Sequence, residues 1–133
     1  MTSRIGQLTF DCTAWEPLVD FWTAVGFVED PDNPNSPGDP EGFLRAADGG
    51  IGLLFIPVPE GKTVKNRAHL DLVPTDRTRD EEVERLIGLG ASQFADHRRP
   101  DGTGFVVMQD PDGNEFCVER SDAERSDAER QGS

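Results

Sequence analysis

Asp110-Pro-Asp-Gly-Asn-Glu-Phe-Cys-Val-Glu119 is the stretch that decides the fold. Its first five residues spell a turn. Asp and Asn side chains bond the local backbone, Pro presets φ, and Gly supplies a positive φ. Its last five alternate: Phe116 and Val118 oppose Glu115, Cys117 and Glu119. That is the period of a strand with one oily and one polar side. Such a turn joins two strands, and the upstream partner is Phe105 to Gln109, preceded by another short strand at Ser92 to Ala95. Before these, Thr78 and Glu81 have capping-box spacing, and Val83, Leu86 and Ile87 give a helix its apolar stripe. Gly88 and Gly90 stop it. Arg67 to Val73 alternates again, so this half reads strand, helix, three strands.

The first half repeats the plan. Ile5 to Cys12 alternates. A helix over about Ala14 to Val25 follows, with Thr13 and Glu16 at capping-box spacing. Trp15, Leu18, Trp22 and Val25 share one face, and Gly26 is the stop. Short strands are expected at Phe27 to Glu29, Phe43 to Ala46 and Ile51 to Val58. Asp30 to Glu41, with four prolines, must be a loop, either a lid or a tolerated insertion. Pro57 to Lys65 links the halves. The expected fold is α+β: two βαβββ modules, about 4–58 and 66–120, with the helices packed on the oily sides of the strands. Residues 121–133, with SDAER written twice and no large apolar side chain, are expected as a disordered, frayed or weakly helical charged tail.

Composition narrows the function. The formal charge of −13 argues against nucleic acid and anionic membrane surfaces. No run approaches a membrane span and residues 1–7 lack a signal-peptide core, so a cytoplasmic protein is expected. Cys12 and Cys117 lack CxxC spacing and read as buried, reduced thiols. No phosphate loop, nucleotide-binding glycine motif, Gly-x-Ser-x-Gly elbow or HExxH pair is present.

The polar sides of the strands point to a site. Gln7, Thr9 and Asp11 share one face of the first strand; Arg67, His69 and Asp71 share one face of the fifth. Ile51 to Ile56 is apolar on both faces apart from Gly52, which suits a greasy pocket wall. Candidate ligand-binding residues are Gln7, Thr9, Asp11, Trp22, Phe55, His69, Asp71, Met108 and Cys117. His69 and Asp71 are also the candidates for an acid–base pair.

Gln7 to Cys12, the helix ending Phe21-Trp-Thr-Ala-Val-Gly-Phe27, Ala68-His-Leu-Asp-Leu72 and the closing stretch from Asp110 together resemble the glyoxalase/bleomycin-resistance/extradiol dioxygenase (vicinal oxygen chelate) superfamily, in its glyoxalase-like domain branch. The resemblance covers roughly residues 4 to 120. It implies curved, barrel-like sheets around a cavity with helices on the outside, a small-molecule ligand, a common homodimer, and, in metal-dependent members, four ligands from four strands. Gln7 falls at the first ligand position, His69 at the third and Cys117 at the fourth, with Glu119 two residues on. The second position lies within Ile51 to Ile56, which offers no ligating side chain. The expectation is therefore a metal-independent protein, without a cofactor, that binds a small, partly apolar molecule for resistance or sequestration. The alternative is a metal-dependent enzyme of lyase, isomerase, epimerase or dioxygenase type. Its divalent metal would take Gln7, His69 and Cys117 or Glu119. A structural or interaction module is a third reading.

Overall fold

The computed structural model describes residues 2–132. The chain divides into two compact units, one ending at Thr63 and the other starting at Val64, inside the expected linker. In the first unit, β1 (Gln7–Cys12), α1 (Glu16–Val25), β2 (Gly42–Leu44) and β3 (Gly52–Pro57) follow in order. The sheet order is β1-β3-β2, with β1 parallel to β3 and β2 antiparallel to it. Leu8 pairs with Leu53 and Phe10 with Phe55, so these side chains share the core face. Leu18, Phe21 and Trp22 of α1 are buried.

Two local expectations fail here for identifiable reasons. The strand expected at Phe27 to Glu29 is reduced to a single bridge, Val28 to Arg45. Asn35, from the proline-rich loop, takes the place of a strand partner for Phe43. Its Oδ1 accepts from the Phe43 N–H at 2.8 Å and its Nδ2 donates to the Phe43 carbonyl at 2.7 Å. The Thr13–Glu16 capping box does not form, because Trp15 is the N-cap and makes no side-chain cap bond. The Trp15 indole instead donates to the Asp39 carbonyl at 2.8 Å and fastens the loop to the helix start. Gly26 ends α1 at φ 142°, a conformation that glycine enters at little cost.

The second unit contains β4 (Leu70–Leu72), α2 (Arg79–Gly88), β5 (Ser92–Asp96), β6 (Val106–Gln109), β7 (Glu115–Val118) and α3 (Asp122–Gly132). Its order is β4-β7-β6-β5, again with the unit's first and last strands parallel. In the turn before β7, Asp110 Oδ1 accepts from the N–H groups of Asp112 and Asn114, both at 2.9 Å. β4 is shorter than the expected Arg67 to Val73. Asn66 is held by side chains, its N–H donating to Glu115 Oε2 at 3.0 Å and its Nδ2 to Asn114 Oδ1 at 3.1 Å. The Thr78–Glu81 capping box is present. Arg79 is only 5% exposed, and its Nη1 donates to the carbonyls of Gly102, Thr103 and Gly104. Neither sheet closes into a barrel. Three or four strands are too few, since small barrels need about eight. Among the described residues no helix is long and apolar enough to cross a membrane.

Of the alternatives expected for the SDAER segment, the helical one is found rather than disorder: α3 is a helix with a capping box of its own. The Glu124 N–H donates to Ser121 Oγ at 3.1 Å, and the Ser121 N–H donates to Glu124 Oε1 at 3.0 Å. The same carboxylate accepts from the Arg79 N–H at 2.6 Å, so it caps α2 as well. The Ser-x-x-Glu signal was present in the sequence. Glu124→Ala removes caps from two helices and is expected to cost about 1–2 kcal/mol in urea denaturation. The identical change in the second copy, Glu129→Ala, is expected to leave stability within about 0.5 kcal/mol of wild type.

Candidate functional site

The candidate site is built on the pairing of β4 with β7. Parallel register sets Asp71 beside Cys117, and Cys117 in turn faces Val107 on β6, whose partner on β5 is Ala95. Asp71, Cys117, Val107 and Ala95 thus form one row on the open face of the sheet. The rows on either side carry Phe116 with Met108 and Val118 with Val106, all buried on the opposite face. This alternation turns the polar residues out because the apolar ones must turn in.

His69, immediately before β4, completes the group. The ligating atoms of His69, Asp71 and Cys117 all lie within 4.8 Å of one another. His69 Nε2 stands 3.3 Å from Asp71 Oδ1, with the two side chains 39% and 53% exposed. Cys117 is 5% exposed and sits at the bottom of the group. Burial, chiefly, pushes its thiol up to about 11; the charge of Asp71 and a hydrogen bond to its carboxylate add to this, as does Glu119, while Lys65 opposes it. The metal-free thiol therefore keeps its proton at neutral pH.

The other expected site residues divide. Gln7, Thr9 and Asp11 are exposed on β1 in the first unit, as their alternation requires. Trp22, Phe55 and Met108 are corrected from ligand-binding candidates to core. They are 1%, 0% and 0% exposed, and Trp22 packs edge-on against Phe21 and Phe27. Their faces were not readable from an apolar strand or helix stripe alone. The register shows what was missed: Leu54 pairs with Thr9 and Ile56 with Asp11, so these half-buried side chains are the greasy part of that polar face. Glu119 is engaged by Arg125 at 3.6 Å.

Of the expected metal ligands, the second unit brings His69 and Cys117 together and adds Asp71, which the sequence offered only as an acid–base partner. The signal was its position two residues from His69, on the same face. An imidazole, a carboxylate and a thiol suit a borderline divalent ion with three protein ligands and an open position. A cleft of about 510 Å³ elsewhere in this unit is lined by Thr78, Glu81, Ser121 and Glu124 among others, which are the capping groups of α2 and α3. The cluster, where the donors converge, is the stronger site.

A family model described as a glyoxalase-like domain matches residues 7–119. No curated protein sequence matches the chain. Among solved structures, the fosfomycin resistance protein FosX from Mesorhizobium loti is similar at 20% identity and TM-score 0.64, covering 96% of this chain and 99% of that one. A mutant of the genomically encoded FosX from Listeria monocytogenes, complexed with Mn(II) and 1S,2S-dihydroxypropylphosphonic acid, is similar at 20% identity and TM-score 0.69, covering 94% and 95%. A glyoxalase/bleomycin resistance protein/dioxygenase family enzyme from Burkholderia phytofirmans PsJN is similar at 18% identity and TM-score 0.65, covering 87% and 97%. At these identities the likeness is one of fold.

The raised thiol has a consequence for stability. An unfolded chain releases the Cys117 proton near the ordinary value of 9.0, whereas the folded chain holds it to about 11. Between those values the unfolded state binds fewer protons, so stability falls as pH rises through the window and is untouched below it. Urea denaturation of metal-free protein across this range is expected to show that decline, and Cys117→Ala to lack this part of it.

Proposed function

The chain belongs to the glyoxalase-like domain family of the vicinal oxygen chelate superfamily, and on that premise we propose that it binds a small, oxygen-bearing molecule over the open face of the second unit's sheet, through a divalent cation held by His69, Asp71 and Cys117. The convergence of three donor atoms within 4.8 Å on one sheet face carries this reading. Resident on these residues, such an ion would supply Lewis-acid polarisation of a ligand oxygen.

The chain's own residues supply the rest. Val107, half-buried beside Cys117, and Ala95, half-buried on the strand beyond it, give the cluster an apolar flank. His69 and Asp71 lie at the exposed edge, which leaves the cluster open to a ligand from solvent. The strand pairing on both sides of Cys117 holds its thiol in place. A homodimer belongs to the same proposal, supported by the family resemblance, and the cytoplasm is its proposed location.

A second reading, a metal-independent binding protein acting in resistance or sequestration, draws on one observation. Asp71 pairs with His69 at 3.3 Å and lies beside Cys117, so the cluster's polar groups find partners within it without an ion. In that case His69 and Asp71 contact the ligand directly.

Native mass spectrometry with elemental analysis of the full chain, purified without chelator and then reloaded with zinc, manganese, nickel or iron, separates the two. The cation reading expects an equivalent of retained metal, with affinity at least about tenfold lower in His69→Ala. Substoichiometric metal under every loading condition would overturn it in favour of the second reading. Accumulation of a product from a co-purified ligand would decide between an enzyme of lyase, isomerase, epimerase or dioxygenase type and a sequestering protein.

A further inference from the structure

We propose that Cys117 sets the cation preference of this cluster, so that it takes a thiophilic ion of the zinc class in preference to manganese or magnesium. The inference rests on the cation reading above and names which cation that site selects.

Donor chemistry is the first support. Carboxylate, carbonyl and water oxygens suit magnesium and manganese, in octahedral sites; thiolates select softer ions, and imidazole suits zinc. Here one of three donors is sulfur and one is nitrogen. To hold an ion, Cys117 would give up its thiol proton to solvent and supply a thiolate donor in its place. A hard cation gains little from that exchange.

The placement of the donors is compatible with this. The donor atoms of His69, Asp71 and Cys117 all lie within 4.8 Å of one another. Cys117 cannot readily withdraw from the group. It is the third of four residues in β7, paired to Asp71 on one side and Val107 on the other, and it is buried. A flexible loop cysteine could be left out of a hard-ion site, but this one is a strand residue paired beside Asp71 and within 4.8 Å of both other donors. The contrast is with the Listeria relative crystallised with Mn(II) on a similar fold.

Zinc outranks manganese at most nitrogen and oxygen sites, so the wild-type ratio alone does not test the role of sulfur. The test is how much of that ratio Cys117 supplies. Metal-free full-length protein is titrated with zinc, cobalt and manganese ions alone, in wild type, Cys117→Ser and Asp71→Asn. Wild type is expected to show a thiolate-to-cobalt charge-transfer band. Cys117→Ser should lose that band and lower the zinc-to-manganese affinity ratio by at least about tenfold, the scale of a perturbed ligand shell. Asp71→Asn should weaken both ions while keeping the band. An unmoved ratio in Cys117→Ser, or a wild-type cobalt complex without the band, overturns the inference and leaves the cation reading standing. No binding of any ion overturns both. The band is read on wild type, so misfolding of Cys117→Ser does not block the test.

Discussion

The parallel pairing of β4 with β7 is the constraint on which the candidate site depends. A slip of one residue would turn Phe116 and Val118 to the open face and Cys117 into the core, because side chains alternate with period two. Phe116 and Val118 are 1% and 0% exposed. Burying side chains of this size stabilises the fold by about 1.5–3 kcal/mol each, so the apolar side of β7 pins its register. The polar side inherits that precision. Cys117 lies beside Asp71 because its neighbours on the strand have no other place to go.

The ends of the pairing are fastened separately. Asp110 closes the turn that delivers the chain into β7, and Asn114 and Glu115 hold Asn66 just before β4. Beyond the strand, the Glu119 N–H donates to the Leu72 carbonyl at 2.9 Å. The surrounding acids are largely used as structural groups. Glu81 and Glu124 cap helices, while Asp80 and Asp96 pair with Arg98. These four carboxylates are thus committed to caps and ion pairs, and the net charge by itself says little about what the site binds.

The fold was legible because its signals are short-range: the Asp110–Asn114 turn, the Thr78–Glu81 box, the stop at Gly26 and the period-two strands. Misreadings arose where a side chain substitutes for backbone. Asn35 stands in for a strand beside Phe43, and Trp15 reaches Asp39 across the loop; neither long-range bond is written in local pattern. The site was legible in part. His69 and Cys117 could be placed from the resemblance, and Asp71 from its shared face with His69. Which face of β3 is core could not be read from a strand that is apolar on both sides. Only the pairing of Phe10 with Phe55 settles it, and with it the exchange of Phe55 for Leu54 and Ile56 as wall residues.

The two units follow one plan, yet their first and last strands carry different chemistry. In the first, the open face of the β1–β3 pair sets Gln7 beside Gly52, Thr9 beside Leu54 and Asp11 beside Ile56. Gly52 is held small by its surroundings, since a Cβ there would lie 2.8 Å from the Leu44 carbonyl and 2.9 Å from the Phe43 ring. That position therefore could not acquire a ligating side chain without moving backbone. In the second, Asp71 sits beside Cys117, with no such obstruction. The last strand of the first unit thus carries glycine and apolar side chains on this face, whereas the corresponding strand pair of the second unit sets a carboxylate and a thiol side by side.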